Sequence, residues 1–269
     1  MLTWTRAELK SRARTLLRKT YWPSFLGALL VTAITFAAGQ LHAGESGFLS
    51  SLASAIHILI ILPLEAGLAA FFLRNRLAPP DYRVIFSPFT GRRYGPVIAS
   101  MVWRLLFITL WSLLPVSGFL VLLPGLIQSG VLPFVLEDVT AIFPLYAPSV
   151  WAVCGAIFLV GTVVVVSKGI SYSLVPFILA DNPHIGVRRA LRLSIVMTHG
   201  YKTRIFLLVL SFIGWIILAS IPYGLGLLFL EPYIQATLAE LYVVLRANAL
   251  QNGLCDPQEL GLPPMDNQP

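Results

Sequence analysis

Residues 49–76 read LSSLASAIHILIILPLEAGLAAFFLRNR, an apolar run that ends in two arginines. The part from 49 to 73 contains a single carboxylate, Glu65. As a helix it is long enough to cross a hydrocarbon core of about 30 Å. Lys and Arg resist transfer across a bilayer, so the end that carries Arg74 and Arg76 is expected on the cytoplasmic side. This stretch predicts a membrane-spanning helix with a defined direction.

Further apolar segments of similar length lie along the chain, which has 57% apolar and only 12% charged residues. That composition, with a mean hydropathy of +0.80, leaves too little polar surface to cover a water-soluble globule. The sequence therefore predicts an all-α fold, a polytopic transmembrane helix bundle of about six spans. The expected spans cover residues 22–38, 49–73, 96–119, 151–170, 205–220 and 225–245.

All nineteen Lys and Arg residues fall on one side of a membrane if these segments are threaded in order. They lie at residues 6–19, 74–104, 168–204 and 246, whereas the alternate connections at 40–48, 121–150 and 221–226 carry none. This partition predicts a multi-pass protein with both termini in the cytoplasm. The pI near 9.7 reflects basic clusters between spans rather than one nucleic-acid surface, so no nucleic-acid partner is expected.

The proline-interrupted stretch 120–150 has two interpretations. Its prolines divide it into apolar pieces too short to span, which favours an outer loop. Two further spans are the alternative, and they would leave the charge partition unchanged. In either case one integral-membrane domain is expected at 1–246. The proline-containing cytoplasmic tail at 247–269 is predicted to be disordered.

Two basic amphipathic helices are expected on the cytoplasmic surface. In the first, at 6–19, a capping box of Thr5 and Glu8 starts the helix, and apolar and basic residues occupy separate faces. In the second, at 183–199, Asn182 is the cap and a proline occupies the first position. Such helices bind anionic lipid headgroups. The candidate lipid contacts are Arg6, Lys10, Arg14, Arg188, Arg189 and Arg192.

Short strings lie in order along most of the chain, from AELK at 7–10 to PY at 232–233. Between them stand LWSLL at 110–114, KGISYS at 168–173, ILADNP at 178–183 and SFIGW at 211–215. Together these strings resemble a bacterial integral-membrane family known only as domain of unknown function 975. The resemblance implies a bacterial plasma-membrane protein and carries no established activity or site. Similar proteins pass from LWSLL to KGISYS through a short link, whereas about 50 residues intervene here.

Carboxylates inside apolar segments are the sharpest candidates for a functional site. Burying a charge in lipid is costly, so such residues usually face the bundle interior or a water-filled cavity. Glu65 and Glu231 are the two candidates, either as relay groups or substrate ligands, or as neutral or paired side chains bonded to a neighbour. Glu240 is expected to reach the inner headgroups, and Asp181 to cap a helix start.

No catalytic, cofactor or metal site is predicted. The string GISY at 169–172 fits a loose nucleophile pattern, but its base, His57, is expected more than about 15 Å away. Cys154 and Cys255 lack metal-ligand spacing. The sequence therefore favours a membrane protein without enzymatic activity that acts through lipid or protein contacts at its cytoplasmic face.

The expected partners are membrane lipids with anionic headgroups, together with a protein partner or a second copy of the chain. The alternative function is a small transporter or lipid-handling protein that uses the intramembrane carboxylates Glu65 and Glu231.

Overall fold

The computed structural model describes residues 4–40, 48–120, 147–221 and 224–262. Within these residues the chain forms eight α-helices and no strand, which confirms the all-α prediction. The helices are α1 (Arg6–Gln40), α2 (Phe48–Arg74), α3 (Tyr94–Leu120), α4 (Pro148–Tyr172), α5 (Val175–Asp181), α6 (Val187–Thr198), α7 (Lys202–Ser220) and α8 (Leu225–Gln251). Short 3-10 helices lie at Tyr82–Phe89, Gly91–Arg93 and Pro257–Leu260.

The apolar segments predicted as spans are helical. Five stretches of the described residues are long and apolar enough to cross a membrane: Arg6–Ala38, Gly91–Gly118, Pro148–Asp181, Lys202–Ser220 and Leu225–Gln251. The remaining predicted span, 49–73, which is the second along the chain, coincides with α2. These helices confirm the membrane character and the helical bundle. The two interpretations of 120–150 concern residues 121–146, which lie outside the described part of the chain.

Helix α1 joins the first predicted amphipathic helix to the first predicted span. Thr20 departs from helical geometry, with φ −124° and ψ 17°. Pro23 explains this break, because its ring has no N–H to bond the carbonyl of Lys19 and crowds that carbonyl. The bend divides α1 into two parts, which we call the basic arm (residues 6–19) and the apolar arm (residues 21–40).

The helices divide into two compact units, and the smaller one comprises residues 105–169. Within it, a Cβ added at Gly161 would lie 2.5 Å from the backbone nitrogen of Pro115, so only glycine allows this close approach of α3 and α4. The thiol of Cys154 donates to the carbonyl of Gly118, 3.1 Å away. Small residues therefore set the packing of this helix pair.

The larger unit comprises residues up to 104 and from 170 onward, and α1 and α8 form its most extensive helix contact. Leu9, Ala13 and Leu17 of the basic arm are four residues apart, and all three are buried. The apolar row that was expected to enter the headgroup layer is thus covered by the protein itself. Gly67 of α2 admits the 3-10 helix Tyr82–Phe89, because a Cβ there would lie 1.9 Å from the Ile85 carbonyl oxygen.

The second predicted amphipathic helix begins later than expected. Asn182 ends α5, since its N–H donates to the carbonyl of Ile178, and α6 starts at Val187 after Gly186, which has a φ of +86°. The prediction of a helix start at Asn182 and Pro183 was therefore wrong. A left-handed glycine turns the chain there, which an Asn-Pro capping pattern does not reveal.

The tail is folded as far as residue 262. Helix α8 continues to Gln251, and the 3-10 helix Pro257–Leu260 follows with a capping box of Asp256 and Glu259. Cys255 and Leu260 are buried. Disorder was predicted from the prolines and polar residues after 246, and this prediction does not hold for 247–262, because these two apolar anchors outweigh the composition. Residues 263–269 lie outside the described part.

Candidate functional site

Four arginines line a cavity of about 310 Å³ in the larger unit. They are Arg74, Arg76, Arg93 and Arg246, and Asp181 lines the same cavity, which we call the arginine pocket. Apolar side chains of α2 and α8 complete its wall. A concave surface with four cationic groups and one anionic group is suited to an anionic ligand.

The end of α2 and the segment that follows it supply three of these arginines. Arg74 ends α2, and its carbonyl accepts hydrogen bonds from the N–H groups of Leu77 and Ala78, which closes a turn around Arg76. Asp81 then starts the 3-10 helix Tyr82–Phe89. Two prolines, at 79 and 80, keep this segment from continuing α2. The segment therefore folds back, and Arg93 lines the same cavity as Arg74.

Arg246 is fixed by a partly buried carboxylate, that of Asp181. Its Nη1 lies 2.7 Å from Oδ2 of Asp181, and the hydroxyl of Tyr242 donates to the same oxygen over 2.6 Å. The side chains of Arg246 and Asp181 are 19% and 15% exposed. Charge-assisted bonds in such a place hold both groups in one geometry. Asp181 was expected to cap a helix start; instead it ends α5 and joins that helix to α8.

Arg76 is held in a similar way by Glu240. The guanidinium contacts both carboxylate oxygens, at 2.5 Å and 3.3 Å, and the Glu240 side chain is only 7% exposed. Glu240 was expected to reach the lipid headgroups. It pairs with Arg76 instead, which the turn after α2 brings to α8. Two of the four pocket arginines are therefore neutralised by carboxylates, Glu240 and Asp181.

The other two pocket arginines retain uncompensated charge. Arg93 is exposed and forms no hydrogen bond or ion pair with the described residues. Arg74 lies 3.7 Å from Asp81, and 55% of its side chain is exposed, so this pair is weak. Arg93 and Arg74 therefore offer guanidinium groups to a ligand that enters the pocket.

Two of the predicted lipid contacts bind neighbouring helices of the protein. Lys10 donates through Nζ to the carbonyl of Ser211, 3.2 Å away, and lies 4.1 Å from the ring centroid of Phe212. Arg14 donates through Nε to the hydroxyl of Tyr233 over 3.1 Å. Both cations of the basic arm are thus directed at α7 and α8.

The other four predicted contacts divide into exposed and paired residues. Arg6, Arg188 and Arg192 are exposed, and none of their side chains has a hydrogen bond or ion pair with the described residues. Arg189 differs, because it donates to both carboxylate oxygens of Glu259, at 3.0 Å and 2.7 Å, and so holds the tail. Three of the six candidates therefore remain available to an external partner.

The ion pair between Arg189 and Glu259 changes the acidity of both groups. The hydrogen bond from Arg189 lowers the pKa of the Glu259 carboxyl, and the same bond raises the pKa of Arg189. Burial raises the pKa of the nearby Cys255 thiol. Both members of the pair therefore remain charged over the physiological pH range.

The two predicted intramembrane carboxylates lie apart from the arginine pocket. Glu65 on α2 accepts a hydrogen bond from Nη1 of Arg104 over 2.8 Å, which joins α2 to α3. Glu231 on α8 accepts from the side-chain amide of Gln235, one helical turn away, at 2.7 Å. Neither residue lines the arginine pocket.

The residues that were weighed as a catalytic pair are Ser171 and His57. Ser171 is buried, and its carbonyl accepts a hydrogen bond from the Ser194 hydroxyl at 2.7 Å. The His57 side chain lies outside the described part. Within the residues the structure describes, no three His, Cys, Asp or Glu side chains are grouped to hold a metal.

A second cavity, of about 500 Å³, lies between α6 and α8. Its wall is mostly apolar and includes Met197 and Leu245. The buried Asn248 contributes a polar group, with Nδ2 3.4 Å from the Tyr201 hydroxyl. Its lining includes His199 but no Lys, Arg, Asp or Glu, so it offers less charge to a ligand than the arginine pocket does.

The arginine pocket was not predicted as a site from the sequence. The available signal was the density of arginine between α2 and α3, where Arg74, Arg76, Arg83, Arg92 and Arg93 occur within one short segment. That density was interpreted only as an orientation signal. The contribution of Arg246 comes from the opposite end of the chain and has no local signature.

Comparison with protein families matches residues 1–249 to a family described as a protein of unknown function, DUF975. Searches of curated proteins and of solved structures found no match.

Proposed function

The chain belongs to this family of unknown function, and we propose that it is a non-enzymatic membrane protein that acts by binding anionic lipid headgroups. The binding site is the arginine pocket, on the cytoplasmic side of a bacterial plasma membrane. The observation that carries the proposal is that Arg93 and Arg74 face one concave cavity with no strong carboxylate partner. A phosphate group is the complementary ligand.

The charge balance of the whole chain supports an anionic partner. Nineteen Lys and Arg residues face twelve Asp and Glu residues, and the described part contains six ion pairs between them. Each pair uses a different arginine, and basic residues exceed acidic ones by seven over the whole chain. Such an excess beside apolar helices favours the anionic surface of a lipid leaflet.

The geometry of the arginine pocket favours a phosphate ligand over a carboxylate ligand. A guanidinium presents a planar fork of donors that binds two oxygens at once, and a phosphodiester offers such oxygens at the depth of the headgroups. The apolar wall from α2 and α8 lies beside the same arginines and can contact the glycerol backbone and the first acyl carbons. The pocket can thus bind the phosphate of a phospholipid through its arginines and contact the glycerol and first acyl carbons through its apolar wall.

Native mass spectrometry tests this proposal. The protein is stripped of lipid, then offered equal amounts of phosphatidylglycerol and phosphatidylcholine. We expect wild type to retain phosphatidylglycerol and Arg93→Glu to lose about tenfold in that affinity, since a hydrogen bond to a charged group contributes about 1.5 kcal/mol. Arg83→Glu is the matched control, because Arg83 is exposed in the same segment but does not line the pocket. Equal retention by both variants would remove the pocket from the proposal.

The second candidate function is a small transporter or lipid-handling protein in which Glu65 acts. The observation that favours it is the ion pair with Arg104, because the Glu65 side chain is 42% exposed while its partner is 18% exposed. A carboxylate that is partly exposed while it binds an arginine can release that arginine and bind a polar ligand instead. Lipid scrambling in proteoliposomes, followed with a fluorescent phospholipid, tests it. Equal rates for wild type and Glu65→Gln exclude Glu65 from such an activity.

A further inference from the structure

The start of α8 lies beside the bend of α1. The hydroxyl of Tyr21 donates to the carbonyl of Phe229 over 3.1 Å, and the ring of Phe25 stacks on that of Phe229 with centroids 4.9 Å apart. Tyr21 stands at the start of the first predicted span, where the chain enters the membrane from the basic side. Phe229 was expected near the opposite surface, in the outer part of the sixth predicted span. Tyr21 and Phe229 cannot lie near opposite surfaces of the membrane and also be in contact, because most of a hydrocarbon core of about 30 Å would separate them.

The part of α1 around Ser24 lies beside the end of α2. The side-chain amide of Asn75 donates to the hydroxyl of Ser24 over 2.9 Å. Gly27 faces Phe71, whose ring a Cβ would approach to 3.1 Å. Asn75 stands between Arg74 and Arg76, in the arginine-rich segment that remains on the basic side. Phe229 is therefore near the basic side as well.

The other end of α8 lies near the same segment. Glu240 binds Arg76, and Arg246 lines the arginine pocket with Arg74. The rise of an α-helix makes the distance from Phe229 to Arg246 about 26 Å. A helix that crossed the membrane would place these two residues at opposite surfaces. Phe229 instead contacts Tyr21 and Phe25 of α1, close to the Ser24 that binds Asn75, and Arg246 lines the pocket with Arg74, so α8 extends along the basic side.

The basic arm of α1 runs beside the same part of α8 and α7. Lys10 reaches Ser211 in the middle of α7, and Arg14 reaches Tyr233. The outward residues of this arm, such as Arg18 and Lys19, are exposed. A helix with a charged outer row does not lie against acyl chains. The basic arm is therefore at the aqueous or headgroup level, and the helices it covers lie close to that level.

The outer surface of helix α7 is apolar, in contrast to the charged outer row of the basic arm. Its exposed side chains are apolar along most of its length, among them Leu210, Ile213, Trp215, Ile217 and Leu218. An apolar surface of this extent requires a partner other than water. The tip of the hairpin that α7 forms with α8 is also apolar, since Ile221 is 74% and Leu225 61% exposed. Acyl chains of the leaflet next to the basic arm are the partner that fits this position.

We propose that the α7–α8 hairpin is embedded in the leaflet on the basic side and returns within it, rather than crossing the membrane. The outer face of α7 contacts acyl chains, and the basic arm covers the hairpin from the headgroup side. The charge partition of the sequence is unchanged, because the residues at 221–226 carry no charge. Both termini also stay on one side, since a returning hairpin and a crossing hairpin end on the side where they began. This inference is independent of lipid binding in the arginine pocket.

Single-cysteine labelling tests the position of the tip. Cys154 and Cys255 are replaced by serine, and one cysteine is introduced at Ile221 or at Leu225. A membrane-impermeant maleimide is then added to right-side-out vesicles and to inverted vesicles. Arg92→Cys marks the basic side, and Gln40→Cys marks the opposite surface. Retained elution as one species in size-exclusion chromatography establishes that each variant is folded.

We expect Ile221→Cys and Leu225→Cys to react from the side of Arg92→Cys, or only with a small membrane-permeant maleimide. Protein burial cannot explain protection from the impermeant reagent, because both side chains are exposed in the folded chain. Reaction from the side of Gln40→Cys would overturn the proposal and restore a crossing hairpin.

Discussion

The hydroxyl of Tyr21 donates a hydrogen bond to the main-chain carbonyl of Phe229 over 3.1 Å, although 208 residues separate the two positions. This bond fixes the start of α8 against α1 directly after the bend at Thr20. Together with the stacked rings of Phe25 and Phe229, it determines where the hairpin begins relative to the arginine-rich segment. The arrangement of the larger unit therefore depends on a contact that neither apolar segment reveals alone.

Removing the Tyr21 hydroxyl is expected to destabilise this contact. Tyr21→Phe keeps the ring but leaves the Phe229 carbonyl without its donor, so we expect a loss of about 1 kcal/mol in the free energy of unfolding. Thermal unfolding in detergent measures it. Tyr82→Phe is the matched control, because the Tyr82 ring stacks on Phe71 and its hydroxyl has no hydrogen bond with the described residues. Equal shifts in both variants would contradict a specific role of Tyr21.

The partly buried pair of Asp181 and Arg246 should be strongly coupled. Asp181→Ala leaves the Arg246 charge without a partner, so we expect a loss of about 3 kcal/mol in the free energy of unfolding. Replacing both residues by alanine removes that charge, and the double variant should be more stable than the single one. Chemical denaturation of the four proteins of the cycle measures the coupling. Additive effects would show that the pair is energetically unimportant.

Gly67 should not tolerate a methyl group. A Cβ there would lie 1.9 Å from the carbonyl oxygen of Ile85, so Gly67→Ala must displace the 3-10 helix Tyr82–Phe89. We expect a loss of about 2 kcal/mol in the free energy of unfolding. Gly155→Ala is the control, because a Cβ at that helical position meets no atom within 4 Å. A thermal shift assay in which Gly67→Ala is as stable as Gly155→Ala would contradict the observed packing.

Docking of the tail should weaken at acid pH. The Glu259 pKa is lowered in the folded state by Arg189, so the pair stabilises the folded tail above the unfolded pKa of glutamate, about 4.3. This contribution is lost as the pH falls through the lower folded pKa. We expect hydrogen exchange of residues 252–262 to increase in that range relative to the same segment in Glu259→Gln. The same pH dependence in both proteins would exclude the ion pair as its cause.

The helices were predictable because a membrane demands long apolar runs, and such runs are visible locally. Residues 6–19 and 22–38 were predicted as two separate helices, and the structure joins them into α1 with a bend at Thr20. The start of α6 was misplaced, because Asn182 has the chemistry of a helix cap but ends α5. The tail was predicted from composition, and composition does not report that Leu260 and Cys255 find buried positions.

The candidate site was less predictable than the helices. Arg188 and Arg192 are exposed as expected, but Lys10 and Arg14 bind residues of α7 and α8. The arginine pocket combines side chains from the end of α2, the segment before α3 and the end of α8, so only the fold brings them together. Helical spacing identifies residues on one face of one helix, and it carries no information on contacts between distant helices.

Stabilisation by added lipid tests the central proposal most directly. A ligand that binds only the folded protein stabilises it by about 2.7 kcal/mol at a hundredfold excess over Kd. Short-chain phosphatidylglycerol is therefore expected to raise the Tm of wild type and of Arg83→Glu equally in detergent, and to raise the Tm of Arg93→Glu by only about half as much, because its affinity is expected to be about tenfold weaker. An equal rise in all three proteins, or no rise in wild type, would contradict anionic lipid binding in the arginine pocket.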